Sequence, residues 1–290
     1  MWTLADRRRR GTFDGAVEEE GRIADVAPEQ RVVAGGRAVT VRTDDGVELT
    51  GLVLPAALPV PPPAGARPLT FVLAHGFTNS VSRPPFARMT GWLRRFGEVR
   101  AVDFRGHGGS SGGSGVGGDP EVRALDAAVA AARADGADAV VTVGMSMGGG
   151  VALRQAALGR HRPDAVVSVS AVSRWYVRDT RPMRRVHWLL ETTAGRRLGA
   201  RVVRLRLDEP WLTPPAAPIE VVSGIAPTPL LLVHGDRDEY FPLEHFRTLA
   251  QAAGPTATAW VVPGFGHAES AATAPLVERI GRWASATING

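Results

Sequence analysis

The run Gly144-Met145-Ser146-Met147-Gly148 sets a serine between two glycines, directly after the apolar stretch Ala139 to Val143 and before a helix-forming stretch, Val151 to Leu158, that Gly159 ends. So short a turn from strand to helix forces its central residue into strained backbone geometry, and the glycines let neighbouring backbones approach without a Cβ clash. The serine hydroxyl then projects above the sheet. The helix that starts there aims N–H groups and its positive end at an oxyanion forming on an acyl group. An incidental serine in a glycine-rich turn would need neither the strand before it nor the helix after it. Serine is a weak nucleophile at neutral pH and requires a base within hydrogen-bond reach, itself oriented by a carboxylate. Both are present downstream. Asp236, Asp238 and Glu239 follow the apolar run Leu230 to Val233, and His267 lies in a glycine-flanked loop after the run Thr258 to Val262.

Composition narrows the alternatives. The 290 residues contain no cysteine, and all 34 basic residues are arginine. Disulfides, cysteine-ligated metals, thiol nucleophiles, Walker phosphate loops, pyridoxal Schiff bases and lysine bases are therefore excluded. With 44% hydrophobic and 22% charged residues the chain reads as a globular protein, and its length allows one large domain or two ordinary ones. The stretch Gly113-Ser114-Gly115-Val116-Gly117-Gly118 satisfies G-x-G-x-x-G, yet it begins well after its strand instead of forming the strand-to-helix turn, so a dinucleotide site is rejected. The histidines do not cluster at metal-ligand spacings. No cofactor and no metal are expected.

The elements that must position these residues are legible as well. Alternating apolar residues on both sides of Thr43-Asp44-Asp45-Gly46 predict an antiparallel hairpin between Arg37 and Pro55, followed by a proline-rich connection to Pro68. Beyond it, Leu69 to Ala74, Val99 to Val102, Ala139 to Val143, Ala165 to Val169, Leu230 to Val233 and Thr258 to Val262 are short apolar runs suited to strands buried on both faces. Asp119 as N-cap and Pro120 open a helix to about residue 134, Pro242 opens another to about Ala252, and Pro275 starts the last, ending near Trp283. The expected class is α/β: a mostly parallel, eight-stranded sheet with helices on both faces and antiparallel strands at one edge. Residues 1 to about 30 read as a loosely held leader, 31–290 as one domain, and about 173–226 as an inserted helical cap, since a single crossover needs far fewer residues. No apolar run reaches the length of a signal or membrane-spanning segment, and a cytoplasmic location is the default.

At these residues the chain resembles the α/β-hydrolase family from about residue 37 to 286, the cap excepted. The resemblance assigns Ser146 as nucleophile, Asp238 as the acid of an H-G-x-x-D-x-x-V-P pattern in which Phe241 replaces the valine, and His267 as base. Asp236 and Glu239 are then a solvated acidic pair beside Arg237. His75-Gly76-Phe77-Thr78 resembles the family's oxyanion turn, with the backbone N–H of Phe77 and of Met147 as donors. His75 and His107 are expected to be structural. The implied activity is cleavage of an acyl compound, a carboxylic ester first, with thioester, amide, peptide or lactone substrates open and a non-catalytic binding protein as the other class. Residues 174–206 carry ten arginines against Asp179 and Glu191, net +8. The expectation is a cap whose apolar side covers the pocket while arginine serves as surface cation. Attraction of an anionic acyl group and contact with a membrane surface are the lesser alternatives, to be separated by whether the arginines point inward. The expected partner is a small acyl substrate, not nucleic acid.

Overall fold

The computed structural model describes residues 35–59 and 63–290, so the expected leader lies outside the described residues. Among them, eight strands form one sheet: β1 (Arg37–Arg42), β2 (Glu48–Leu54), β3 (Leu69–Ala74), β4 (Glu98–Val102), β5 (Ala139–Met145), β6 (Ala165–Val169), β7 (Leu230–Gly235) and β8 (Thr258–Val262). Their spatial order is β1-β2-β4-β3-β5-β6-β7-β8. β2 pairs antiparallel with β1 and β4, and every other pairing is parallel. The helices are α1 (Pro84–Leu93), α2 (Asp119–Ala134), α3 (Met147–Leu158), α4 (Arg181–Glu191), α5 (Thr193–Val202), α6 (Pro218–Val221), α7 (Leu243–Ala253), α8 (Ala268–Ala271) and α9 (Ala274–Asn289). No helix among the described residues is long and apolar enough to cross a membrane.

Every residue of β3 and β5 is buried, which is why both read as unbroken apolar runs. Their side chains alternate between two cores. Leu69, Phe71 and Leu73 join α1 and α9 on one face, while Val72 and Ala74 join α2, α3 and α7 on the other. From β3 the chain moves outward to β4, whereas from β5 it proceeds the opposite way through β6 to β8. The crevice at the carboxyl ends of β3 and β5 is therefore the topological switch point, where open α/β sheets place their sites.

Three element boundaries differ from expectation. Gly118, not Asp119, occupies the cap position of α2; Asp119 is its first helical residue, and its carboxylate is taken by the Arg154 guanidinium. Pro242 stands one residue before α7, and α9 continues past Trp283 to Asn289, whose side chain bonds the Arg67 backbone. Between β6 and β7 lies the α4–α5 hairpin. Its return limb is joined to the 106–114 loop by Arg206 N–H to Gly106 O at 2.9 Å and Ser114 N–H to Arg206 O at 2.8 Å. α6 and the turn Val222–Ile225 instead pack on α3 and α7, with Val222 and Ile225 inside the core.

The donors of the glycine-rich stretch at 113–118 are taken by a side chain of the same chain. Glu121, fully buried, accepts from Ser114 Oγ at 2.9 Å, Gly115 N–H at 2.8 Å and Gly117 N–H at 3.1 Å. The donors that could have cradled a phosphate are thereby occupied. Arg154, also fully buried, braces the same loop through Gly117 O at 3.2 Å and the cap through Ala216 O at 2.8 Å. Burial pushes the Glu121 carboxyl up to about 7, against the opposing pull of its hydrogen bonds. Between about pH 4.5 and 7 the unfolded chain loses this proton while the folded protein keeps it, so this group's contribution to stability falls as pH rises. The stability difference between wild type and Glu121→Gln should shrink by about 3 kcal/mol across that window in urea titrations. A difference independent of pH would contradict the buried-carboxyl account.

Candidate active site

Ser146 is the single residue between β5 and α3, with φ 53° and ψ −116°. A non-glycine residue there costs on the order of 1–3 kcal/mol and persists only where surrounding structure fixes it. The Ser146 N–H donates to Val169 O at 2.9 Å, and its carbonyl accepts from Gly149 N–H at 2.9 Å and Gly150 N–H at 3.2 Å. A Cβ at Gly144 would strike the Gly148 carbonyl, and one at Gly148 would strike the carbonyls of Ala74 and His75. Both flanking glycines are thus required by close backbone approach.

His267 follows β8 and Asp238 follows β7. His267 Nδ1 lies 2.8 Å from Asp238 Oδ2 and 3.0 Å from Oδ1, and His267 Nε2 lies 2.8 Å from Ser146 Oγ. With Nδ1–H donating to the carboxylate, Nε2 is left as the acceptor for the serine hydroxyl. The Asp238 side chain is fully buried. It also accepts from the N–H of Tyr240 at 2.9 Å and of Phe241 at 3.0 Å. Burial pushes the Asp238 carboxyl up, but the His267 bond and charge and the Phe241 N–H outweigh it and hold it below the usual range. Tyr240 stacks on the imidazole at 4.3 Å between ring centroids, and Phe241 meets its edge at 5.5 Å. Of the competing carboxylates, Asp236 binds Gly264 N–H at 2.6 Å, and Glu239 stands exposed on the cavity wall.

Ser146 and His267 open into a cavity of about 1200 Å³, which Phe77 and Met147 also line. Its walls are largely apolar, with Trp175, Tyr176 and Trp211 at the cap side and Met183, Val186 and Leu190 from the inner face of α4. The two other expected histidines face away from this chemistry. His75 donates from Nδ1 to Gly76 O at 2.8 Å and accepts Phe104 N–H on Nε2 at 2.9 Å. Burial depresses it to about 4 and His107 to about 3. Both are neutral spacers between the β3 and β4 loops.

A family model described as serine aminopeptidase S33 (Hydrolase_4) matches residues 67–219, more than half of the chain. The chain belongs to the S33 family. It is an α/β-hydrolase enzyme. An esterase from Pyrococcus furiosus shares the fold with a TM-score of 0.64 at 22% identity, over 88% of this chain and 93% of its own. A serine hydrolase without lid from Xanthomonas campestris gives 0.56 at 19%, over 88% and 94%. Puromycin hydrolase gives 0.58 at 17%, over 87% of this chain and 39% of its own. No curated protein sequence matches. Unlike the lidless structure, this S33 chain carries the α4–α5 hairpin over its cavity wall.

One residue of this S33 site escaped the sequence reading. Glu269, buried and two positions after His267, accepts the Gly76 N–H at 3.0 Å and the Asn79 side-chain amide. It joins the turn after β3 to the segment after β8, a separation of 193 residues with no local pattern to announce it. Removing it strands the buried Gly76 N–H and leaves the half-buried Asn79 amide without its carboxylate. Glu269→Ala should therefore lose about 1–3 kcal/mol of unfolding free energy by denaturant titration. Unchanged stability would show that the two donors find other partners.

Proposed function

We propose that the protein is a serine hydrolase acting on a carboxylic ester with a bulky apolar part. The observation that carries this reading is the 2.8 Å approach of His267 Nε2 to Ser146 Oγ, with Nδ1 held on Asp238. In this mechanism Ser146 attacks the acyl carbonyl while His267 takes its proton, and Asp238 holds the ring orientation and stabilises the imidazolium. The N–H groups of Phe77 and Met147 receive the tetrahedral oxyanion. His267 then protonates the leaving group, and water, deprotonated by the same ring, releases the acyl-enzyme. Tyr240 and Phe241 shield the imidazole, and the cavity's apolar walls favour a substrate that buries hydrocarbon there.

Amide cleavage is the second reading. It is favoured by the family to which the chain belongs and by Glu239, a carboxylate on the cavity wall with no partner among the described residues, which suits a substrate amine. Turnover of p-nitrophenyl esters of graded acyl length, set beside aminoacyl p-nitroanilides, separates the two: faster ester turnover that rises with chain length supports the first.

A fluorophosphonate probe should label wild type and fail on Ser146→Ala; an unlabelled, folded wild type would remove the hydrolase reading. Asp238→Asn should lower kcat about 10⁴-fold by disfavouring the tautomer that leaves Nε2 free. If Asp236→Asn were the more damaging change, the acid would be misassigned.

A further inference from the structure

Residues 174–206 contain only two acids, and both are already engaged. Asp179 pairs with Arg174 at 3.4 Å, and Glu191 pairs with Arg178 at 2.6 Å and meets His187 at 2.8 Å. Arg184, Arg196 and Arg206 are taken up by backbone carbonyls. The guanidinium groups of Arg181, Arg185, Arg197, Arg201 and Arg204 have no hydrogen bond or ion pair among the described residues, and all five side chains lie in exposed positions. An arginine serving only as surface cation has no reason to be concentrated beside others of its kind.

Their placement follows the helical period. On α4, Arg181 and Arg184 precede Trp188 by seven and four residues and so share its face, and Trp188 is 48% exposed; Arg185, at the edge of that face, also borders the cavity. The opposite face supplies Met183, Val186 and Leu190 to the cavity wall. On α5, Arg197 and Arg201 form one row and Leu198 and Val202 an adjacent one, with Val202 68% exposed. Like charges at this spacing repel, so the rows weaken the isolated helices unless an anionic surface faces them. The two helices form one unit, because the glycines of α5, Gly195 and Gly199, lie against the backbone and side chain of Leu189.

We propose that the outer face of the α4–α5 hairpin docks on an anionic lipid bilayer. Arginine stems and tryptophan seat at the headgroup boundary while aliphatic side chains enter the acyl region, the arrangement of an interfacial amphipathic helix. The aliphatic row is what selects lipid over nucleic acid: Leu198 and Val202 find apolar depth in a bilayer and nothing comparable along a phosphodiester backbone. Attachment is peripheral, since no described helix can span. The surface stands apart from Ser146 and does not depend on which acyl bond is cleaved.

The test is co-sedimentation of the full chain with phosphatidylcholine vesicles, with and without phosphatidylglycerol, at physiological ionic strength. Binding is expected only when phosphatidylglycerol is present, and it should weaken as salt rises. Each cation near such a surface strengthens binding about fivefold, so Trp188→Ala/Arg197→Glu/Arg201→Glu should bind at least about 25-fold more weakly. The same variant should keep wild-type thermal unfolding and wild-type hydrolysis of a soluble ester, since none of the three lines the cavity. The proposal fails if wild type ignores anionic vesicles, binds neutral ones equally, or if the variant binds as wild type does, which would move the contact to other basic residues such as Arg7 to Arg10. Displacement by duplex DNA acting through the same three residues, or an altered oligomeric mass in the variant, would equally overturn a lipid occupant.

Discussion

The left-handed backbone of Ser146 is the constraint to which the rest of the site is fitted. A serine held at φ 53° can be neither an ordinary strand residue nor an ordinary helix residue, so strand and helix must each stop beside it. The cost is offset by β5, buried on both faces and paired on both edges, and by α3, which packs on the same sheet. With no Cβ at Gly148, the elbow settles against the Ala74 and His75 carbonyls. That same approach brings the turn at 76–78 next to the serine. One steric requirement therefore fixes two parts of the site, and a larger residue at 148 would separate them.

The other half is fixed by the β7–β8 register. His234 pairs with Val261 and Gly235 with Val262, so the loops after the two strands leave side by side. Asp236 uses its side chain to join them at Gly264, and Arg237 N–H reaches Phe265 O at 3.1 Å. Two residues on, Asp238 turns inward, where backbone N–H groups of 240 and 241 hold it under the imidazole. The two aspartates thus divide the work: the exposed one holds the loops together and the buried one faces His267. Because the Asp238 carboxyl sits below its ordinary value, the stability it contributes is present above about pH 4 and is lost as pH falls through the folded-state value.

What could be read from the sequence was what is local. The elbow, the two downstream loops and the strands buried on both faces each show within a window of about ten residues, because glycine spacing and apolar runs encode them directly. Separations beyond that window hid the rest. Glu269 meets Gly76, and Arg154 meets Gly117 and Ala216, across stretches where no periodicity links the partners. The Asp119 boundary moved by one residue for the same reason: Arg154 takes the carboxylate that would otherwise cap its own helix. The spacing at 113–118 was enough to reject a dinucleotide site, but that its N–H groups are taken by Glu121 folding back onto them was not legible in it.

The cap joins these local and distant parts. Its base is held by Trp175 Nε1–H to Pro215 O at 2.6 Å and Thr180 Oγ1–H to Tyr240 O at 2.9 Å. The second bond ends on the residue that stacks on His267. The return limb is joined to the loop containing Ser114, which holds Glu121 and borders the cavity. A force on the outer face of α4 is therefore felt at its inner face, one helix diameter away, through side chains that line the cavity beside Ser146. Interiors packed this closely shift between discrete arrangements more readily than they deform continuously. The bonds at 175, 180 and 206 accordingly hold the hairpin as one packed unit, so that the inner face of α4 keeps its place in the cavity wall.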